Sequence, residues 1–305
     1  MTLNGLPAIR LDHLTKQYGR LFALKGVSLE VEPGEIFGFL GLNGAGKTTT
    51  IRILLDLVRA SSGRAFVFGI DSRRQGVDAR ARIGYLPGEL GFYGDMTGEE
   101  TLGVLSRLSR QRIDVRWQKE LLERLDLPGE VLRKKVREYS TGMKRKLGIV
   151  QAFQSGASLL ILDEPTEGLD PMMQEAFYEL LARTRREGRT VFMSSHVLPE
   201  VERVCDRIGL VRQGELVLVS PVAEVRRLAA RHVRIVFREP VPSPREGWPD
   251  GCEVLELTPR VWHLRVRGPL GGVLAKLASL PVEDMEVPEP HLEDVLRHYY
   301  TESNA

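Results

Sequence analysis

A glycine-rich segment, residues 36–50, constrains the fold of this chain more than any other stretch. It joins an apolar run, Ile36–Leu40, to the pattern Gly41-x-x-x-x-Gly46-Lys47-Thr48. This spacing matches a phosphate-binding loop, in which glycines let backbone N–H groups converge on a phosphate and a following helix adds its N-terminal amides. The segment therefore predicts a strand, a P-loop and a helix. The alternative is a glycine-containing turn before an ordinary amphipathic helix.

The side chains after the glycines fit the same chemistry. The ammonium group of Lys47 is expected to reach the β- and γ-phosphates of a nucleotide, and the hydroxyl group of Thr48 is expected to bind Mg²⁺, which prefers oxygen ligands. The residues predicted to bind the nucleotide in this loop are Gly41, Asn43, Gly44, Ala45, Gly46, Lys47, Thr48 and Thr49.

A second candidate site lies in residues 159–166, where four apolar residues precede Asp163 and Glu164. A continuous apolar run is typical of a parallel strand that is buried on both faces, and ligands bind such sheets at the carboxyl ends of the strands. Two adjacent carboxylates there repel each other unless a cation or proton intervenes, which favours a nearby Mg²⁺. The alternative is a solvated turn.

Three further residues each have two interpretations that the local sequence leaves open. Tyr18 either stacks on a purine or is an ordinary turn residue. His196 follows a predicted strand, Thr190–Met193, and is either a catalytic group or a surface or core histidine. Ser140 precedes a predicted helix, and local rules favour a capping role for it.

Composition bounds the class of protein. The chain has 305 residues, of which 42% are hydrophobic, so it is long enough for one large and one small domain. Its net charge is +2 with dispersed arginines, so no nucleic-acid partner is expected. The two cysteines, Cys205 and Cys252, match no metal-ligand spacing and suit a reducing compartment.

No segment of the sequence predicts secretion or a membrane span. The N-terminus lacks a basic region followed by an apolar run. No stretch approaches the roughly 18 to 20 consecutive apolar residues that cross a bilayer. If the protein acts at a membrane, we expect another polypeptide to span it.

The order of predicted elements gives an α/β fold with two domains. Strands alternate with helices over residues 1–220, and residues 95–156 form a helical insertion headed by a capping box, Thr97-x-x-Glu100. Residues 221–305 predict a small α+β domain. Its predicted elements are strands at Val233–Phe237 and Trp262–Val266, a proline-rich linker from Pro240 to Pro249, and helices with Leu270, Val273, Leu274 and Leu277 and with Leu292, Val295, Leu296 and Tyr299.

With these motifs in order, the chain resembles the ATP-binding subunit of an ABC transporter over roughly residues 8–220. The resemblance is narrower to the exporter subfamily that includes antibiotic-resistance and multidrug pumps. It is carried by a Walker A loop, a Walker B run and three further motifs in the family's order. These motifs are Gly41–Thr48, Tyr139-Ser-Thr-Gly-Met-Lys-Arg-Lys, Leu159–Glu164, Glu167-Gly-Leu-Asp170-Pro and Ser194-Ser-His196.

The resemblance implies a RecA-like P-loop core with an N-terminal antiparallel β subdomain and a helical subdomain. It also implies that Tyr18 stacks on adenine and that Asp163, with Thr48, holds Mg²⁺. By the same resemblance, Glu164 is the base that polarises the attacking water and His196 contacts the γ-phosphate of ATP.

The resemblance further implies a head-to-tail pair of subunits. Ser140 and Gly142 of one subunit, with Asp170 in the D-loop, complete the ATP site of the other. The expected partners are a membrane-spanning permease and either a second copy or a related ATP-binding subunit, and the expected location is the cytoplasmic face of the cell membrane.

Two motifs depart from the family pattern. The signature has Thr141 and Met143 where glycine and glutamine are common. Gly88 follows Pro87 where the family has a glutamine that contacts Mg²⁺ and couples to the permease, and Glu89 is the candidate replacement. Residues 221–305 resemble an accessory extension of some exporter subunits, with either a dimer-supporting or regulatory role or a structural one.

Two other functions compete with the export motor. One is an ABC-type ATPase that acts on ribosomes or DNA, although such proteins typically carry two nucleotide domains or a long coiled coil, and this chain has neither. The other is a nucleotide sensor with little hydrolysis, which the altered signature and the missing glutamine would favour.

Overall fold

The computed structural model describes residues 5–108, 113–228, 230–242 and 247–288. Internal contacts divide the chain into two units, Met1–Val219 and Ser220–Ala305. The predicted helix with Leu292 and Tyr299, and part of the predicted linker around Pro244, lie outside the described residues.

Ten strands and eight α-helices belong to the described part of the first unit, although the last two residues of β10 lie beyond its boundary at Val219. In chain order they are β1 (Ile9–Tyr18), β2 (Leu21–Val31), β3 (Ile36–Leu40), α1 (Lys47–Leu54), β4 (Ser62–Val67), β5 (Ile70–Asp71), α2 (Gly76–Arg80), β6 (Ile83–Leu86), α3 (Gly98–Leu108), α4 (Val115–Arg124), α5 (Gly129–Leu132), α6 (Thr141–Phe153), β7 (Leu159–Asp163), α7 (Pro171–Arg186), β8 (Thr190–Ser195), α8 (Leu198–Val204), β9 (Arg207–Arg212) and β10 (Glu215–Pro221).

Two sheets organise this unit. An antiparallel sheet has the order β2-β1-β4-β5, and a six-stranded sheet has the order β10-β9-β3-β8-β7-β6. In the larger sheet, β3, β6, β7, β8 and β9 pair in parallel, so their carboxyl ends share one edge. All residues of β3, β7 and β8 are buried, as continuous apolar runs predict for a central parallel sheet. The predicted α/β fold with an antiparallel subdomain is confirmed.

The helical insertion has the predicted cap. The Thr97 N–H donates to Glu100 Oε2 at 2.8 Å, and the Glu100 N–H donates to Thr97 Oγ1 at 3.1 Å. Among the described residues of this segment, helices α3 to α6 follow without a strand, apart from a single bridge between Thr97 and Lys135. These reciprocal bonds satisfy two of the N–H groups that a helix start leaves unpaired.

The helix after the P-loop is shorter than its apolar pattern predicts. Apolar residues at Ile51, Leu54, Leu55 and Val58 predict a helix that reaches Val58. However, α1 ends at Leu54, and Asp56 has a φ of 55°. This left-handed conformation is incompatible with a continuing right-handed helix. Val58 still packs against the core, although it lies outside the helix.

The second unit is a four-stranded antiparallel sheet with two helices in its described part. Its elements are α9 (Val222–Leu228), β11 (Arg231–Phe237), β12 (Cys252–Leu257), β13 (Val261–Val266), α10 (Gly271–Leu277) and β14 (Val282–Glu286), with the strand order β12-β13-β11-β14. The core centres on Trp262, whose ring lies 4.5 Å from that of Phe237. β12 was not predicted because a bulge between Val254 and Glu256 breaks its alternation, and β14 because it is mostly polar and exposed.

Within the described parts of the chain, each helix is too short or too polar to cross a bilayer.

Candidate active site

The P-loop connects β3 to α1, and two of its glycines are required by close packing. A Cβ atom on Gly41 would lie 2.4 Å from the carbonyl oxygen of Val211, and one on Gly46 would lie 2.7 Å from that of Ala23. Gly46 also has a φ of 114°, a backbone conformation that residues other than glycine rarely adopt. The loop is therefore held between β9 and β2, with residues 42–44 exposed.

Lys47 is the first residue of α1, and its side chain is 5% exposed. Its Nζ donates to the carbonyl oxygen of Gly41 at 2.5 Å and lies 3.2 Å from Glu164 Oε1. The P-loop lysine and the second carboxylate of the β7 motif thus form an ion pair. Thr48 and Thr49 are half-buried beside Lys47.

Glu164 directly follows β7 and has a φ of 48°. A non-glycine residue in this left-handed region is strained, and such strain persists only where the surroundings hold the residue in place. The Glu164 N–H is 3.1 Å from Ser194 Oγ, and Glu164 Oε2 is 2.8 Å from His196 Nδ1. Its carboxylate therefore lies between Lys47 and His196.

The Ser194 hydroxyl group bonds to the side chain of Asp163 and to the backbone of Glu164. This fully buried side chain donates to Asp163 Oδ1 at 2.5 Å and accepts from the Glu164 N–H. Sequence reasoning gave Ser194 no role of its own, because the signal lies in the strand pairing, where Asp163 is opposite Ser194. The predicted residues Lys47, Asp163 and Glu164 and the switch segment at His196 thus meet at the edge formed by β3, β7 and β8.

The oxygen atoms near this edge suit Mg²⁺. Asp163 is 3% exposed, and its Oδ2 faces Gly88, whose Cβ position would be 3.5 Å away. Among the described residues, no group of three or more His, Cys, Asp or Glu side chains is arranged to hold a metal ion. Mg²⁺ typically takes only one or two oxygen ligands from a protein, and waters and phosphate oxygens complete its shell. The Asp163 carboxylate and the Thr48 hydroxyl are ligands of this kind.

A third carboxylate lies behind the His196 segment. Glu200 on α8 is 4% exposed, and its Oε2 accepts a hydrogen bond from Ser195 Oγ at 2.9 Å. Burial raises the pKa of Glu200, the Ser195 hydroxyl opposes this shift, and the charge of Glu164 adds to it. The sequence analysis did not identify this residue, since only the fold reveals its burial.

Tyr18 lies at the end of β1 and is 45% exposed. The Nζ atom of Lys16 is 4.7 Å from the centroid of its ring, within the range of a cation–π contact. The exposed ring is available for stacking. The adenine contact itself stays a prediction.

Ser140 and Asp170 both act as helix caps. Ser140 Oγ accepts from the Met143 N–H at 3.2 Å, and Asp170 Oδ1 accepts from the Met173 N–H at 2.9 Å. Both residues are exposed, and Gly142 is half-buried. In the described parts of the chain, no hydrogen bond or ion pair joins these three residues to Gly41–Thr49.

The sequence profile of a family described as ABC transporter matches residues 24–167. An uncharacterized ABC transporter ATP-binding protein of Synechocystis is 35% identical over 280 residues, which cover 89% of this chain and 77% of the relative. The bacitracin transport ATP-binding protein of Bacillus licheniformis is 37% identical, covering 72% and 71% of the two chains. The linearmycin resistance ATP-binding protein of Bacillus subtilis is 36% identical, covering 70% and 68%.

Solved structures agree with the fold. An ATP-binding subunit of an ABC transporter superposes with a TM-score of 0.67 at 28% identity, covering 72% of this chain and 92% of that one. A dimeric ATP-binding cassette bound to ADP and phosphate superposes with a TM-score of 0.64 at 22% identity, covering 70% and 98%.

In the site that the predicted motifs form, Glu164 contacts both the P-loop lysine, Lys47, and His196. The predictions of family, export function and ATP hydrolysis are confirmed. The chain belongs to the ABC transporter family, as an ATP-binding and ATP-hydrolysing subunit that powers export through a separate membrane-spanning subunit.

Proposed function

We propose that two ATP-binding subunits of this type, identical or related, close head to tail on ATP at the cytoplasmic face of a membrane. Hydrolysis reopens the pair, and the permease converts this cycle into export of an antibiotic. Residues 1–220 form the nucleotide-binding domain, with its helical subdomain at 95–156, and residues 221–305 form an accessory domain. The substrate class follows the relatives named for bacitracin and linearmycin.

The observation that carries this proposal is the position of the Glu164 carboxylate, 3.2 Å from Lys47 Nζ and 2.8 Å from His196 Nδ1. Lys47 and the loop N–H groups hold the β- and γ-phosphates. Glu164 accepts a hydrogen bond from the attacking water, and the water oxygen bonds to the γ-phosphorus as the bond to the β-phosphate oxygen breaks. His196 contacts the γ-phosphate and fixes the Glu164 side chain.

Thr48 and Asp163 are the residues that would hold Mg²⁺, with Asp163 oriented by Ser194. When bound, Mg²⁺ neutralises charge on the phosphate oxygens. Tyr18 stacks on adenine, and its exposed ring supports this role. Ser140, Gly142 and Asp170 complete the site of the partner subunit, which is supported by their exposure or partial exposure and by their lack of bonds to the P-loop of their own chain.

Glu164→Gln and Lys47→Ala test this function. Loss of the base typically lowers a rate by about 10² to 10⁴, so Glu164→Gln should bind MgATP, elute as an ATP-dependent dimer and hydrolyse ATP at least about 100-fold more slowly. Lys47→Ala should lose ATP binding and the dimer. Wild-type turnover by Glu164→Gln would show that the base is assigned wrongly.

A further inference from the structure

One face of α6 packs against two loops beside the active site. Gly142, Arg145 and Gly148 are spaced at three-residue intervals and therefore share this face. A Cβ atom on Gly142 would lie 3.1 Å from the carbonyl oxygen of Gly168, and one on Gly148 would lie 2.8 Å from the Leu90 side chain. The two glycines let the helix approach closely, and Arg145 lies between them.

The Arg145 guanidinium group bonds to both loops at once. Its Nε donates to the carbonyl oxygen of Glu167 at 3.1 Å, its Nη1 to that of Pro87 at 2.8 Å, and its Nη2 to that of Gly88 at 3.1 Å. Nη2 also lies 3.6 Å from Glu167 Oε2. The residue is 3% exposed, so its rigid fork of donors is fixed by three backbone acceptors.

The charge of Arg145 persists in this buried position. Burial lowers its pKa, and the carboxylates of Glu167, Asp163 and Glu164 oppose that shift. Since arginine is not deprotonated in proteins, the side chain stays charged. It therefore adds a fixed positive charge on the helical side of the catalytic carboxylates.

Both loops lie next to a catalytic carboxylate. The Glu167 N–H is 3.3 Å from the carbonyl oxygen of Glu164, so the two residues belong to one turn. Gly88 faces Asp163 Oδ2, with a Cβ position 3.5 Å away. A shift of α6 would therefore move the backbone beside both carboxylates.

We propose that Arg145 is a positioning residue for ATP hydrolysis, which ties the Pro87–Gly88 loop and the Glu164–Glu167 turn to α6. Because the guanidinium group bonds to carbonyl oxygens, this link works with glycine at position 88. Ser140 caps the same helix. The inference rests on the proposed function, in which Ser140 binds the partner's ATP. A change in the position of α6 on that binding would then reach Asp163 and Glu164 of the same subunit through Arg145.

The test compares steady-state kinetics of Arg145→Gln and Arg145→Lys with the wild type. Positioning residues typically contribute about 10- to 100-fold, so Arg145→Gln should lower kcat by this factor while KM for MgATP changes less than about 3-fold. Arg145→Lys should stay at least about 5-fold below wild type, because an ammonium group cannot reproduce the three-way fork. Full recovery by lysine would overturn the proposal, since charge alone would then suffice.

Arg189 supplies a matched control in the same unit. Its side chain is 11% exposed, its Nε donates to the carbonyl oxygen of Ala157 at 2.7 Å, and it pairs with Glu187 at 3.7 Å. Within the described residues, it bonds to neither loop. Arg189→Gln should lower the melting temperature and keep kcat per folded molecule. If both glutamine variants lose activity only in proportion to folded protein, or if Arg145→Gln raises KM at constant kcat, Arg145 is not a positioning residue.

Wild type and Glu164→Gln are assayed in parallel. A wild type without turnover, or a Glu164→Gln variant as active as the wild type, would reject the proposed function itself. Normal behaviour of these two proteins with an unchanged kcat for Arg145→Gln rejects only the role of Arg145. If Arg145→Gln does not fold, Arg145→Lys decides by the same criteria.

Discussion

Charged side chains lie close together in two regions of this protein: beyond the carboxyl ends of strands in the first unit, and across neighbouring strands in the second. At the edge of the six-stranded sheet, the side chains of Lys47 and Glu164 are 5% and 18% exposed. On the outer face of the sheet in the second unit, Arg234 and Glu286 form an ion pair at 3.4 Å and are 44% and 58% exposed. His263, opposite Arg234 on the next strand, is also substantially exposed.

The comparison shows why burial, rather than the number of charges, marks the functional region. An exposed ion pair is worth about 0 to 1 kcal/mol, because water and salt screen it and two long side chains lose freedom. A buried charge that loses its partner costs about 3 to 5 kcal/mol. The surrounding structure holds Glu164 in its left-handed conformation between Lys47 and His196, which supports the proposed role of this residue.

The largest expected effect comes from replacing one neutral hydroxyl group in the buried site at the edge of the six-stranded sheet. Ser194→Ala removes the donor to Asp163 and the acceptor of the Glu164 N–H. We expect kcat to fall about 10- to 100-fold, as for other groups that orient catalytic ligands, with a higher Mg²⁺ requirement. Steady-state ATPase assays over a Mg²⁺ titration measure both effects.

Ser195→Ala is the matched control, because Ser195 is equally buried and bonds to Glu200 instead of the catalytic carboxylates. It should destabilise the fold by about 1 to 3 kcal/mol and change kcat much less. Equal losses of kcat in the two alanine variants would mean that the Ser194 bonds have no special role.

A smaller effect, on the pH dependence of stability, is expected from a substitution of Glu200. Because burial raises its pKa, the folded protein retains this proton at pH values where the unfolded chain has released it. The wild type is therefore relatively most stable below the unfolded pKa of Glu200 and loses stability as the pH rises through the folded pKa. Glu200→Gln removes this loss, worth about 1.4 kcal/mol for each unit of raised pKa.

Urea unfolding of wild type and Glu200→Gln between pH 4 and 8 measures this difference. The advantage of the glutamine variant should grow with pH and vanish at the acidic end. Glu99→Gln, at an exposed position, controls for the lost charge and should show no such trend. A constant difference at all pH values would contradict a raised pKa for Glu200.

The smallest effect is expected on the outer face of the second unit. Glu286→Gln should change the free energy of unfolding by less than about 1 kcal/mol, with the difference disappearing in high salt. Chemical denaturation at two ionic strengths checks this. A change above about 2 kcal/mol would show that this pair is less screened than its exposure indicates.

Much of the active site follows from local sequence rules. The P-loop, the caps at Ser140 and Asp170 and the strand before Asp163 depend on residue type and spacing within a few positions. The shortened α1 and the unpredicted β12 show where such rules fail. A left-handed Asp56 and a bulge beside Val254 depend on surrounding packing, which a periodic pattern does not contain.

By itself, the sequence determined that the chain binds phosphate and that two carboxylates end a buried strand, since glycine spacing and apolar runs carry that information locally. Only the tertiary structure decided that Lys47, Glu164 and His196 meet, that Ser194 bonds to both Asp163 and Glu164, and that Arg145 bonds to two loops. These contacts join residues 22 to 117 positions apart in the sequence. Strand order and burial set such long-range contacts, and neither is expressed in the local pattern.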